Sequence, residues 1–508
     1  MRRALCVCLA GLFAGACRDP GSNGGSVDCA EACAASGPCT LVTDEPCTFA
    51  EPTPWLLFDA SVGNSPPAGE SELLVVPARL AGRVEPIRVS EGAFDDEHWV
   101  TLFPLWSPDG SLLVFDAANG LGGSGIRNRL FAVPFGPGLP GPPKRIEGLP
   151  ENPGVYVEPF EWDVEGRAFT VLAGEELYVV HRTGNDLTVT FADRADDEIY
   201  RASVCAGGEY VVYATWNDSV VLLPADGTSG ERREWESAEY DVSADGKHLA
   251  ITSADEFGEH TLELLPCGEG TSTRLIEGYE SSLEAYFMGR GPYLLVEELG
   301  SPVGYFDIRA PTSLQLFSRA IFVDTWSEDG SYAVLVVGTG SDLLRFDLAT
   351  GETEPIATSS GGRRYLGDLL VLEPSSEEED GTVVSIIDPR TPASPILELE
   401  PSEGASVEQI RRDPSGARIA YLESGPEGTS VHIVELATQA RITYALPGAL
   451  DYDLDDFSGD GAGVLVSVGR PRFRLYWLAA TADAEAAEPR LVHEAAWGDI
   501  YYGQPWQP

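Results

Sequence analysis

The chain has 508 residues, of which 43% are hydrophobic, and its 33 basic and 81 acidic side chains give a net charge of −48. That apolar fraction supports a packed core and excludes a chain that is disordered throughout. The acidic excess argues against a nucleic-acid partner, because phosphate binding requires a clustered basic surface.

The first sixteen residues have the pattern of a secretory signal peptide. Arg2 and Arg3 precede an uncharged run of small and apolar residues from 4 to 16. This run is too short to cross a bilayer as a helix, which takes about 20 residues. We therefore predict that residues 1–16 are a signal peptide and that no later segment spans a membrane.

Cys17 is the predicted lipid-attachment residue. The tetrapeptide Ala-Gly-Ala-Cys that ends at Cys17 resembles a bacterial lipobox, whose cysteine is acylated after cleavage. The alternative is ordinary signal-peptidase cleavage just before this cysteine. Arg18 follows where an aspartate would signal retention in the inner membrane, so we expect an outer-membrane lipoprotein of the cell envelope.

Cysteine parity favours lipidation. Two of the nine cysteines, Cys6 and Cys8, lie in the signal peptide, so acylation of Cys17 leaves an even number for disulfides in an oxidising compartment. The disulfide candidates are Cys29, Cys33, Cys39, Cys47, Cys205 and Cys267.

Residues 17–53 form a predicted stub between the lipid anchor and the body. Gly and Ser residues at 21–26 make a flexible linker. The four cysteines between 29 and 47 then favour two disulfides around a small loop. Zinc binding is the alternative, but a zinc ribbon uses cysteine pairs separated by two residues, and this stub has none. No metal is therefore expected.

From residue 54 to 508 the chain repeats a single pattern. An apolar strand leads into a turn such as Trp-Ser-Pro-Asp-Gly at residues 106–110, and a second apolar strand follows. Each copy also has a second hairpin, as at Leu343–Glu352, so one repeat supplies four strands. The first and last turns, at Gly110 and Gly461, are eight repeats apart, a period of about 44 residues, which is that of a four-stranded propeller blade. The turns centre on Gly110, Gly166, Gly246, Gly330, Gly416 and Gly461, with weaker copies at Gly208, Gly291 and Gly367.

The two ends of the repeat region are predicted to complete one blade. Trp55–Ala60, Leu73–Val76 and Pro86–Val89 are typical of second, third and fourth strands, and a first strand is missing. Asp499–Tyr502 is an unpaired strand that would fill this place and remove two sheet edges. The fold class is therefore an all-β propeller with a best count of ten blades; eight or nine blades, or two smaller propellers in tandem, remain open.

The Ser-Pro-Asp-Gly turn followed by a small-apolar strand resembles the blade signature of TolB-type propellers. It is best kept at Trp106–Phe115, Val242–Ile251 and Trp326–Leu335. The resemblance implies a propeller and protein partners in the cell envelope. A similar signature occurs in the propeller domains of prolyl-oligopeptidase relatives, but no segment here matches their additional hydrolase domain.

Catalytic signals are weak. No Gly-x-Ser-x-Gly occurs, and the loop Gly120–Gly125 lacks the lysine and helix of a phosphate cradle. Residues 95–99, which include His98, are the most site-like cluster; His181 and His432 are expected to be structural residues. Residues 451–456 begin like a calcium loop but lack its glycine and its final glutamate, so a solvated acidic segment is expected. We predict no catalytic residue, metal or cofactor.

Two further features are ambiguous. Trp106, Trp162 and Trp326 precede blade turns, where they would pack between blades or line a sugar- or peptide-binding face. Cys205 and Cys267 lie in consecutive repeats, so an interblade disulfide is one of the pairings open to them, although sequence does not give their separation.

The sequence therefore favours a lipid-anchored, monomeric, non-enzymatic scaffold that binds envelope proteins and contacts the membrane through its lipid. The alternative is a receptor for a ligand, sugar or cation, and less so an enzyme with its site in the propeller channel.

Overall fold

The structure is a computed structural model that describes residues 55–499 except for short internal stretches. These stretches are 62–70, 79–80, 82–84, 92, 94–98, 120–127, 137–138, 151–156, 229–231, 299–300, 318–319, 338–341, 359–361, 374–382, 393, 449–451, 459, 469–472, 481–487 and 496–497. The predicted signal peptide, lipid-attachment residue and cysteine-rich stub lie outside the described residues.

Within the described residues the secondary-structure elements are all β-strands, and they form ten four-stranded antiparallel sheets, the blades of a β-propeller. Blades 1–5 are built from β1 (Trp55–Ser61), β2 (Ser71–Pro77), β3 (Ile87–Arg88); β4 (Trp99–Trp106), β5 (Leu112–Asn119), β6 (Asn128–Pro134), β7 (Lys144–Arg145); β8 (Val157–Trp162), β9 (Ala168–Ala173), β10 (Glu176–Thr183), β11 (Asp186–Arg194); β12 (Ile199–Val204), β13 (Tyr210–Thr215), β14 (Val220–Pro224), β15 (Arg233–Trp235); β16 (Ala238–Val242), β17 (His248–Ala254), β18 (His260–Pro266) and β19 (Thr273–Tyr279).

The remaining strands complete blades 6–10 and add a last strand to blade 1. They are β20 (Leu283–Phe287), β21 (Tyr293–Glu298), β22 (Ser301–Asp307), β23 (Gln315–Leu316); β24 (Ala320–Trp326), β25 (Tyr332–Val337), β26 (Asp342–Asp347), β27 (Thr353–Thr358); β28 (Arg363–Leu366), β29 (Leu369–Leu372), β30 (Val384–Ile387), β31 (Leu397–Leu399); β32 (Ser406–Arg412), β33 (Arg418–Gly425), β34 (Gly428–Glu435), β35 (Arg441–Ala445); β36 (Asp453–Phe457), β37 (Gly463–Val468), β38 (Phe473–Ala479), β39 (Arg490–Ala495); and β40 (Gly498–Asp499).

Blade 1 is the composite blade that the sequence predicted. Its strand order is β3-β2-β1-β40, and β40 pairs antiparallel with β1 through Asp59 with Asp499 and Ala60 with Gly498. The count of ten blades is thereby confirmed. Blades 1, 2, 9 and 10 belong to one compact unit, and blades 3–8 belong to a second. No helix long and apolar enough to cross a membrane occurs in the described part of the chain.

The recurring turn joins the first two strands of a blade, and its polar side chains satisfy its backbone. In blade 5 the Ser243 hydroxyl donates to the Asp245 carboxylate at 2.6 Å and accepts from the backbone N–H of His248 at 2.9 Å. The Asp245 carboxylate also accepts from the N–H of Lys247 at 3.1 Å. Gly246 adopts a positive φ of 67°, a conformation that glycine takes without steric cost.

Blade 9 keeps the same bond with the two residue types exchanged. Its turn has Asp413 where the other turn has serine, and Ser415 where it has aspartate. The Ser415 hydroxyl donates to the Asp413 carboxylate at 2.7 Å, and the other carboxylate oxygen accepts from the N–H of Arg418 at 2.8 Å. Either order of the two residues closes the turn, which explains why the signature is degenerate in sequence.

Within each compact unit, the apolar core lies between successive blades. Val212 and Leu222 of blade 4 pack with Leu249 and Ile251 of blade 5, and all four are buried. Burial of each such side chain contributes about 1.5–3 kcal/mol. Second strands are buried on both faces, as in β9, whose six residues are all buried. A repeat alone exposes these faces, so each blade depends on its neighbours.

The tryptophans that precede the turns belong to this core. Trp162 is buried, and its ring lies 4.5 Å from that of Phe169. Trp106 is partly buried and meets Phe135 edge-on at 4.6 Å, and Trp326 packs against the core formed by blades 6 and 7. The core packing predicted for these residues is thus observed, with Trp162 buried and Trp106 and Trp326 partly buried.

Candidate interaction surface

The structure brings together one predicted cysteine pair. Cys205 and Cys267 form a disulfide between blades 4 and 5, as their positions in consecutive repeats allowed. The other disulfide candidates, Cys29, Cys33, Cys39 and Cys47, lie outside the described residues, as do Cys17, His98 and the loop Gly120–Gly125. Within the described part of the chain, no group of three or more His, Cys, Asp or Glu side chains is placed to hold a metal ion.

The acidic segment near residue 455 differs from the solvated stretch expected from sequence. Asp453–Phe457 is strand β36, because Leu454 and Phe457 are drawn into the core. Asp455 between them is buried and accepts a hydrogen bond from the Ser467 hydroxyl at 3.3 Å. Burial raises the pKa of the neighbouring Asp456. This segment is therefore a strand that buries Leu454, Asp455 and Phe457 and leaves Asp453 exposed.

His432 has the structural role expected of it. It is buried on β34, and its Nδ1 lies 3.0 Å from the Thr443 hydroxyl. Its Nε2 lies 3.4 Å from the Glu423 carboxylate, and its ring stacks on Tyr421 at 4.7 Å. Burial lowers the pKa of His432 despite the opposing effect of Glu423.

Ionisable side chains on first strands link blades 3 to 6. The Ser203 hydroxyl on β12 donates to Glu161 on β8 at 3.1 Å. Two residues earlier on the same strand, the Arg201 guanidinium donates to the Tyr240 carbonyl at 2.9 Å and lies 3.4 Å from the Asp241 carboxylate on β16. The second oxygen of Asp241 accepts from the N–H of Phe287 on β20 at 2.8 Å. Burial raises the pKa of Asp241, and the Arg201 guanidinium and the Phe287 N–H oppose that shift.

The same kind of link joins blades 7 and 8. Asp324 on β24 accepts from the Arg363 guanidinium on β28 at 2.8 Å and from the Tyr365 hydroxyl. Burial and the hydrogen bond to Asp324 raise the pKa of Tyr365. These charged and phenolic groups therefore bond to neighbouring blades, which fixes their side chains in place.

Three exposed aromatic residues occupy one end of blades 4 and 5. Because antiparallel strands alternate in direction, the second turn of a blade and the connection to the next blade lie at the same end. Trp216 is in the second turn of blade 4 and is 64% exposed, and Phe257 is in the second turn of blade 5 and is 80% exposed. Tyr200 is the second residue of β12, the first strand of blade 4, and its ring lies 5.0 Å from that of Trp216. We call these three residues the aromatic end surface.

Backbone hydrogen bonds join the turns that carry this surface. The N–H of Trp216 donates to the carbonyl of Glu198 at 3.1 Å, and the N–H of Ala238 donates to the carbonyl of Asp218 at 2.6 Å. The N–H of Ala254, at the end of β17, donates to the carbonyl of Ser237 at 3.0 Å. The series runs from the connection before blade 4 to the turn that holds Phe257, so the backbone beneath the aromatic rings is fixed.

Two residues in this series have an unusual backbone conformation. Asp218 has a φ of 56° and Ser237 a φ of 47°. Residues other than glycine rarely adopt positive φ, and a strained position of this kind costs on the order of 1–3 kcal/mol and persists only where its surroundings enforce it. Here the carbonyls of both residues accept the hydrogen bonds that tie the turns together.

Carboxylates surround the aromatic rings. Burial, and then the charges of Glu239 and Asp218, raise the pKa of Tyr200. In the next turn the Asp255 carboxylate accepts from the N–H groups of Phe257 and Glu259 at 2.8 and 2.9 Å.

This surface was not predicted from the sequence. The available signal was an aromatic residue inside a polar turn, as in Thr-Trp-Asn-Asp-Ser at 215–219.

Comparison with known proteins gives structural matches only. No protein-family model matches the chain, and no curated protein matches it in sequence. Among solved structures, a eukaryotic initiation factor is 11% identical, with a TM-score of 0.48, and the match covers 88% of this chain and 97% of the other. BamB from Moraxella catarrhalis is 15% identical over 62% of this chain and 91% of its own, with a TM-score of 0.30. TolB from Acinetobacter baumannii is 15% identical over 53% and 75%, with a TM-score of 0.25. These likenesses concern the fold alone.

Proposed function

We propose that the protein is a lipid-anchored β-propeller of the bacterial cell envelope that acts as a non-catalytic scaffold for protein partners. The scaffold role rests on one observation: ionisable side chains on first strands form hydrogen bonds and ion pairs with neighbouring blades. Arg201, Asp241, Asp324 and Arg363 each bond to a neighbouring blade. A general acid or base must be free to meet a substrate, whereas groups fixed in this way rigidify the blades.

The envelope location rests on the sequence and is supported by one bond in the structure. The N-terminal basic, apolar and cysteine pattern is typical of a lipoprotein signal. The disulfide between Cys205 and Cys267 is of the kind that persists in oxidising compartments such as the periplasm.

Lipid attachment is tested by metabolic labelling with a palmitate analogue. The full chain is expected to incorporate label and to fractionate with membranes, and Cys17→Ala is expected to do neither. Incorporation of label by the Cys17→Ala chain would contradict the assignment of that residue.

The scaffold role is tested by crosslinking intact cells and isolating the tagged full chain from membranes. Defined envelope proteins should be recovered at fixed ratios in repeated experiments. Recovery of no reproducible partner would contradict a scaffold and favour the alternative of a small-ligand receptor.

A further inference from the structure

We propose that the aromatic end surface binds a cationic peptide segment that carries apolar side chains. The inference rests on the proposed scaffold role and names the surface and the chemistry of its partner. Trp216 and Phe257 are among the most exposed large hydrophobic residues of the described chain. Exposed aromatic groups of this size at the same end of adjacent blades are typical of interfaces, where tryptophan and tyrosine supply much of the binding energy.

The surface is organised before any partner arrives. The hydrogen bonds that join Glu198, Trp216, Asp218, Ala238 and Ala254 hold the turns in place. A partner therefore loses little binding energy to ordering of these turns. The positive φ of Asp218 and Ser237 places two constrained residues in the same series, which is typical of functional sites.

Charge determines the kind of partner. Exposed carboxylates lie on both turns and on the strands beside them, and they are Glu198, Asp218, Glu239, Asp255, Glu256 and Glu259. The basic residue closest in sequence to Tyr200 and Trp216 is Arg201. Its guanidinium is paired with Asp241 and lies 4.5 Å over the Tyr240 ring.

A surface of this composition attracts cations and repels phosphates and anionic lipid. Exposed rings also favour guanidinium and ammonium groups over their faces. A peptide with alternating basic and apolar side chains would place its charges against the carboxylates and its apolar groups against the aromatic rings.

The test uses a fluorescent dodecapeptide of alternating arginine and leucine, and the full chain as the binding protein. Fluorescence anisotropy should show saturable binding that weakens as salt is raised from 50 to 500 mM. A second peptide with serine in place of leucine measures attraction by charge alone and should bind at least about tenfold more weakly.

Matched variants locate the site. The double variant Trp216→Ala/Phe257→Ala should weaken the arginine–leucine peptide at least about tenfold. Leu316→Ala, which removes a side chain that is 68% exposed on β23 of blade 6, should change affinity less than twofold. Glu239→Gln/Glu256→Gln should weaken binding and flatten its salt dependence, and exposed Glu269→Gln should do neither. The variants remove exposed side chains, so unchanged thermal unfolding checks that each one folds.

Three outcomes would overturn the inference. Equal affinity of the aromatic double variant and the native chain would show attraction by net charge alone. Absence of peptide binding would exclude the partner class. Binding of a neutral oligosaccharide such as cellotetraose, lost in the aromatic variant, with no binding of the peptide, would assign the surface to carbohydrate.

The same crosslinking experiment separates this inference from the scaffold role. If the native chain and the aromatic double variant recover the same partners equally, the surface assignment fails and the scaffold stands. If the native chain recovers none, the scaffold fails whatever the peptide does.

Discussion

Cys205 and Cys267 are 62 residues apart in the sequence, yet their Cα atoms lie 5.5 Å apart and a disulfide joins them. Cys205 follows β12 in the first turn of blade 4, and Cys267 follows β18 in the third turn of blade 5. First and third turns lie at the same end of a blade, so the bond closes the interblade seam at the end opposite the aromatic end surface.

Removal of this disulfide should destabilise the protein. A crosslink that closes a loop of this length restricts the unfolded chain by about 4 kcal/mol. We expect Cys205→Ser/Cys267→Ser to unfold at a lower guanidinium concentration than the native chain under oxidising conditions, with an unchanged far-UV circular dichroism spectrum. Coincident unfolding curves would show that the bond adds nothing to stability.

Gly330 should be less replaceable than Gly351, although both have positive φ, of 65° and 74°. A Cβ on Gly330 would lie 2.5 Å from the N atom of Gly291 and from the carbonyl oxygen of Met288 in the neighbouring blade, whereas a Cβ on Gly351 would have no atom within 4 Å. Both alanine variants carry the backbone cost of about 1–2 kcal/mol.

Gly330→Ala adds a steric cost of about 1–3 kcal/mol. Thermal unfolding of the two variants measures the difference directly. Equal melting temperatures of the two variants would show that the close approach of Gly330 to Gly291 and Met288 does not restrict the side chain at residue 330.

The turns and the strands of the composite blade could be predicted because each is formed by residues that lie close together in the sequence and have a recognisable pattern. Ser243 and Asp245 supply the side chains that close their turn and Gly246 supplies its positive φ, and apolar residues identify the strands on either side. The aromatic end surface was not predictable in the same way, since the exposure of Trp216 and the burial of Trp162 depend on the residues that the fold packs against each ring, such as Phe169 against Trp162. Asp455 was misjudged for the same reason, because the position of its strand in the blade decides its burial.

The ion pair between Asp324 and Arg363 should contribute more to stability than a pair on the surface. The two side chains are 12% and 20% exposed, and they join blades 7 and 8. Removal of one partner leaves the other charge poorly solvated, at a cost of about 3 kcal/mol or more. Asp324→Ala should therefore lower the free energy of unfolding by about that amount.

Glu175→Ala is the matched control for that substitution. Glu175 pairs with Arg194 at 3.2 Å, but both side chains are more than half exposed. Such pairs contribute less than about 1 kcal/mol. Chemical denaturation of both variants distinguishes them, and a loss of similar size in each would contradict a special role for the interblade pair.

His432 should make the protein less stable as the pH falls. Burial is the main cause of the lowered pKa of His432, and the Arg441 guanidinium adds to it while Glu423 opposes it. The unfolded imidazole then binds a proton near its usual value of 6.5, where the folded one does not. Stability contributed by this difference is present above that pH and decreases as the pH falls below it.

His432→Gln tests this contribution by comparison of two pH curves. The native chain should lose thermal stability between pH 7.5 and 5, and the variant should lose less over the same range. Burial also lowers the pKa of His493, so part of the slope should remain in the variant. His260→Gln, at a partly exposed position, is the control and should follow the native curve. A His432→Gln curve parallel to the native one would mean that the buried imidazole takes up its proton as readily in the folded protein as in the unfolded chain.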